Sequence, residues 1–173
     1  EQNRWPSVLL AVGQNSYGEL LLGDQISRGA VECVPGSAGR SVVQAVAGNE
    51  FTAVLTSSGR VFVGGMNQHG TAGVGSQDAR VSLSEAKLPA GVRIARLYSG
   101  NGSESIMALA SDGCLYVWGL NNVGQLGSGH RQDAATGDGG VEDLLHTSLL
   151  PGRSTVQLDT GGSITCALVS GGS

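Results

Sequence analysis

Two glycine-framed blocks recur three times along these 173 residues, so the chain folds as stacked copies of one unit. In the first block Gly13, Asn15, Gly18 and Gly23 return as Gly65, Asn67, Gly70 and Gly75, then as Gly119, Asn121, Gly124 and Gly129, at intervals of 52 and 54 residues. The second block runs from Gly48 to Gly59, Gly102 to Gly113 and Gly161 to Gly172, and a proline precedes each copy, at Pro35, Pro89 and Pro151. Within a unit, FTAVLT, IMALA and ITCALV are short apolar runs, and VLLAVG, RVFVGG and CLYVWG lead into the Gly-x-Asn-x-x-Gly stretch. Their length and β-branched content predict strands. Ser57-Ser58-Gly59 and Ser111-Asp112-Gly113 read as hairpin turns, the glycine supplying a positive φ. Apolar residues at consecutive rather than alternate positions require cover on both faces of each small sheet.

The Gly-x-Asn-x-x-Gly stretch reads first as a structural turn. Asparagine bonds its own backbone and tolerates the left-handed region, and the flanking glycines permit a tight reversal. Leu20, Ala72 and Leu126 share one position after it and are expected to plug the loop from beneath. Sheets with two apolar faces, repeated, stack radially, so the expected fold class is all-β, a β-propeller.

The run from Asp112 to Gly129 (DGCLYVWGLNNVGQLGSG) resembles the repeat of the regulator of chromosome condensation family. Gly13 to Asp24 and Gly48 to Gly75 resemble more divergent copies. Trp118 is replaced by Val12 and Gly64, Gln125 by Glu19 and Thr71, and Gly127 by Leu21 in the first copy. The resemblance implies a seven-bladed ring, of which about three units fit here, making a partial propeller. The expected division is a half repeat at 1–35, a repeat at 36–89, a repeat at 90–151 with an insertion at 130–150, and a half repeat at 152–173. The missing blades come from a longer parent chain, the favoured reading given a first residue of Glu1, or from another copy joined head to tail.

Composition narrows the function. Charged residues are 14% of the chain and the net charge is −4, with a single lysine, Lys87, so nothing resembles the basic stripe that binds a phosphate backbone. No direct nucleic-acid or membrane contact is expected. Cys33, Cys114 and Cys166 match neither a disulfide framework nor zinc-ligand spacing, which points to an intracellular protein, cytoplasmic or nuclear, and Cys114 and Cys166 are expected to be buried. His69, His130 and His146 are isolated and read as ordinary solvated side chains. Nucleophile elbows, phosphate-binding loops with lysine, and metal-ligand motifs do not occur, so neither an enzyme nor a cofactor is expected.

The insertion carries Asp133, Asp138, Glu142 and Asp143, a candidate partner-binding loop. Val141, Leu144, Leu145 and Leu149 recur at helical spacing and predict a short helix over 141–149. The expected function is a non-catalytic protein-protein interaction scaffold. Two alternatives follow from the resemblance: guanine-nucleotide exchange on a Ran-like small GTPase, or a regulatory segment of a larger enzyme such as a ubiquitin ligase.

Overall fold

The computed structural model describes residues 8–131, 142–143 and 155–170. It is an arc of four antiparallel sheets. The first holds β1 (Leu10–Gly13) and β2 (Arg28–Cys33). The second is complete, in the order β3 (Val42–Ala47), β4 (Phe51–Thr56), β5 (Val61–Gly65) and β6 (Arg80–Glu85). The third repeats it with β7 (Ile94–Tyr98), β8 (Ser105–Ala110), β9 (Leu115–Gly119) and β10 (Glu142–Asp143). The fourth holds β11 (Thr155–Thr160) and β12 (Thr165–Val169). Two full blades of a partial β-propeller are thus flanked by an outer half-blade and an inner half-blade.

The central strands carry the consecutive apolar runs, and β5 and β9 are buried along their whole length. Between the full blades Phe51, Val63, Ile106, Met107, Trp118 and Leu126 form one core. The innermost strands are different. After a buried Val42, β3 alternates exposed and half-buried residues, and β7 packs against β3, β4 and β11 as the arc turns. Each inner strand carries a register shift at the same place, between Val42 and Gln44, Ile94 and Arg96, and Thr155 and Gln157. The hairpins turn where expected, with Gly59 at φ 77° and Gly113 at φ 91°.

Two expectations are corrected. Glu142 and Asp143, placed in a helix by spacing, are strand β10, paired with Val117 and Tyr116 of β9. The outer edge of β9 offers unpaired backbone groups, and a strand satisfies them where a helix would not; the rest of 141–149 lies outside the described residues. Cys166 is exposed and Cys114 only half-buried, because no described sheet covers the outward face of β12 and Cys114 precedes β9 in the hairpin turn. None of the three cysteines is in a disulfide.

Candidate functional site

The antiparallel order brings the Gly-x-Asn-x-x-Gly loops after β1, β5 and β9 out on one face of the arc, beside the β3–β4 and β7–β8 turns. Their construction is the same three times. The nine conserved-position glycines within this chain all have positive φ, from 74° at Gly70 to 119° at Gly13. Asn15, Asn67 and Asn121 are buried, and each Oδ1 accepts the amide five residues on, from Leu20 at 2.8 Å, Ala72 at 2.7 Å and Leu126 at 3.0 Å. Each Nδ2 donates to the returning segment of the loop: to Asp24 O and Ile26 O, to Ser76 O and Asp78 O, and to His130 O. The asparagines staple the loop as expected, but their φ is not positive; the left-handed positions are the glycines and, in the first loop, Leu21. Leu20, Ala72 and Leu126 lie buried beneath.

Because the asparagine and the apolar plug face inward, the side chains that vary at the surface of each loop are those of the two residues that follow the asparagine. Ser16, Gln68, Asn122 and Val123 are exposed there, and Tyr17 and His69 are half-buried. One backbone frame therefore presents three different surfaces. His69 reaches across the blade junction, its Nε2 3.2 Å from Glu104 Oε2, and Glu104 also accepts a hydrogen bond from Asn49 Nδ2 at 2.8 Å. His130 is exposed, and His146 lies outside the described residues.

The junction itself is polar at its rim. Gln44 Nε2 donates to Leu97 O at 2.8 Å while its Oε1 accepts from Leu97 N at 2.9 Å, so one side chain pairs with the neighbouring inner strand as a backbone would. Trp118 Nε1 donates to Thr71 O at 2.7 Å and Asn49 N to Ser103 O at 2.7 Å. Sequence reasoning did not find Gln44, Asn49, Thr71 or Glu104. The available signal was the glutamine that recurs as Gln157 at the same strand position.

The expected acidic loop is brought together only in part. Glu142 and Asp143 form the outer edge of the third sheet, while Asp133 and Asp138 lie outside the described residues. Elsewhere the charges pair locally. The Arg28 guanidinium, 2.6 Å from Asp24 Oδ2, holds that carboxyl below its usual range, and Arg60 does the same for Glu85 on the opposite face. Among the described residues no group of three or more His, Cys, Asp or Glu is placed to hold a metal, and no helix is long and apolar enough to cross a membrane.

Residues 42–71 match the Regulator of chromosome condensation (RCC1) repeat. The chain is similar to the X-linked retinitis pigmentosa GTPase regulator of Canis lupus familiaris, with 32% identity over 69% of this chain and 12% of that protein. It is also similar to the E3 ubiquitin-protein ligase HERC2 of Homo sapiens, with 26% identity over 72% of this chain and 2% of that protein. The chain thus spans a small part of these relatives' length. Its fold is that of Prp20p from Saccharomyces cerevisiae, described with its binding properties to Gsp1p and histones, at TM-score 0.75 and 15% identity over 93% of this chain and 39% of that one.

Proposed function

The chain belongs to the regulator of chromosome condensation repeat family, and from that premise we propose that it is a non-catalytic protein-interaction scaffold. One observation carries the reading: three loops with the same inward staple present different exposed side chains on one face, the division of labour expected where strands hold shape and loops bind. Its partners are proteins, it takes no cofactor, and it works inside the cell. The acidic residues Asp133, Asp138, Glu142 and Asp143 are a second candidate contact, suited to a basic partner.

Proximity labelling in cells recovers the partner, and surface variants locate where it binds. Val123→Asp with Gln68→Asp on the loop face lowers recovery of that partner roughly tenfold or more, as charge in a contact does. Ser58→Asp, exposed in the β4–β5 turn at the other end of the sheet, leaves it unchanged. Equal recovery from all three proteins refutes a loop-face scaffold.

A second reading, guanine-nucleotide exchange, draws on the relative named a GTPase regulator. Faster release of fluorescent GDP from a Ran-like GTPase in the presence of the protein selects it, and an unchanged rate leaves the scaffold reading standing.

A further inference from the structure

Basic side chains gather at the end of the second sheet that carries the β4–β5 turn, although the net charge of the chain is −4. The connection from β6 to β7 crosses there and leaves a cleft of about 490 Å³ between its own residues and the ends of β5 and β6. Every lining residue belongs to the complete second sheet or to its connection with the third. We propose that this cleft binds an acidic segment of a partner protein, a short extended stretch rich in Asp and Glu, as a contact separate from the loop face.

The positive charge of the cleft is not compensated from within. Arg60, Lys87 and Arg93 line it, and Glu85 is the one carboxylate among its lining residues. Arg60 pairs with Glu85, whereas Lys87 and Arg93 are exposed and make no ion pair among the described residues. Arg40 adds a fourth cation beside the cleft. Its guanidinium carbon lies 4.9 Å from the centre of the Phe62 ring, and that of Arg60 lies 5.3 Å from the same ring. One aromatic ring therefore gathers two like charges, whose mutual repulsion an incoming carboxylate relieves.

The backbone holds these walls in place. Lys87 N donates to Gly73 O at 2.8 Å at one end of the connection, and Ile94 N donates to Gly59 O at 3.0 Å at the other. Arg93 Nη1 donates to Ser58 O at 2.6 Å, which fixes its guanidinium beside the β4–β5 turn. Gly59 lets the two segments approach, since a Cβ there would lie 3.0 Å from Arg93 Cα. Leu88 and Val92, half-buried against the main core, give the cleft an apolar floor.

That arrangement selects the occupant. A single small anion needs donors converging on one point, whereas here Arg60 stands on the sheet and Lys87 and Arg93 stand on the connection, which suits successive carboxylates along a peptide. Arginine takes a carboxylate in two parallel hydrogen bonds. The apolar floor receives the side chains between the carboxylates, which a phosphate backbone does not offer.

The test uses the 173-residue chain with two fluorescein-labelled peptides, one alternating Glu and Leu and one alternating Gln and Leu, read by fluorescence anisotropy. The Glu peptide binds, its affinity falls as salt rises, and the Gln peptide binds about tenfold more weakly or worse. Lys87→Glu, at an exposed position, weakens the Glu peptide about tenfold, and adding Arg93→Glu weakens it further. Arg96→Glu, exposed on β7 outside the cleft, makes the same change in net charge and leaves the affinity unchanged. Circular dichroism checks that each variant folds, and Lys87→Glu alone carries the test where the double variant does not. Absence of binding by the Glu peptide, equal binding of the two peptides, or equal losses from Lys87→Glu and Arg96→Glu overturns the proposal. Tighter binding of a fluorescein-labelled DNA duplex than of the Glu peptide also overturns it and assigns the cleft to a phosphate backbone.

Discussion

The junction between the two full blades and the junction between the first half-blade and its neighbour are built from the same repeat, yet they are filled from opposite sides. Between the full blades, Trp118 reaches back from β9, is completely buried, and donates its indole N–H to Thr71; the preceding loop yields room through Gly73, at φ 64°. One blade earlier, the tryptophan position is Gly64 and the loop glycine position is Leu21. Leu21 is buried, and a Cβ on Gly64 would collide with its Cδ2. It holds φ 63° to get there, a left-handed conformation that costs a non-glycine residue about 1–2 kcal/mol. Two departures from the repeat pattern that look independent in the sequence are one exchange in space. A junction needs one bulky side chain, and either blade can supply it.

Trp118→Ala tests the later junction and carries the largest effect. It empties a fully buried indole site and strips a donor from the Thr71 carbonyl, so urea denaturation should show a loss of about 3–5 kcal/mol. Leu21→Gly probes the earlier one. It removes a buried side chain, a loss of roughly 2–5 kcal/mol, while relieving the backbone cost, so the net loss should be about 1–3 kcal/mol by the same measurement. If Leu21→Gly stabilises the protein, or costs as much as Trp118→Ala, the equivalence of the two fillers fails.

That exchange also marks how far the sequence was legible. β4, β5, β8 and β9 announced themselves as consecutive apolar runs because both their faces are covered, and the loop glycines because a positive φ leaves a compositional trace. The inner strands did not. Val42–Ala47 alternates in burial, but its residues VVQAVA do not alternate in polarity, and Gln44 acts on a blade 53 residues away, so neither a period nor a neighbour in sequence reveals it. Leu21 was visible as a departure but not as a compensation, since Gly64 gives it meaning only through space. Glu142–Asp143 misled because apolar residues around it recur at helical spacing, while the unpaired edge of β9 decides the outcome. Of the candidate site, the asparagine staple and the apolar plug were readable, whereas the cross-junction contacts of Asn49, His69 and Glu104 were not.

The smallest predicted effect separates the flank loop from its interior copies by pH. In the loop after β1, Asn15 Nδ2 also donates to the Asp24 carboxylate at 3.0 Å, and Arg28 pairs with that same carboxylate; Ser76 and His130, which accept through their backbone carbonyls, stand at the corresponding points of the other two loops. Asp24 is held below its usual range chiefly by the hydrogen bond from Arg28, so the folded state binds the proton more weakly than the unfolded chain does. This contribution is fully present above the ordinary carboxylate value of about 4 and disappears as the pH falls through the lower folded value. Hydrogen exchange at the Leu20 amide, corrected for intrinsic rates, should therefore lose no more than a few-fold of its protection between pH 5 and 3, as befits an exposed pair. The Leu126 amide, bonded to Asn121 without a carboxylate in the staple, should hold its protection over that interval. Arg28→Ala should move the Asp24 midpoint upward by carboxyl NMR titration and narrow the difference between the two amides. Parallel loss at both amides would mean that acid opens the whole arc rather than the flank loop, and the two loops would then be alike in what holds them.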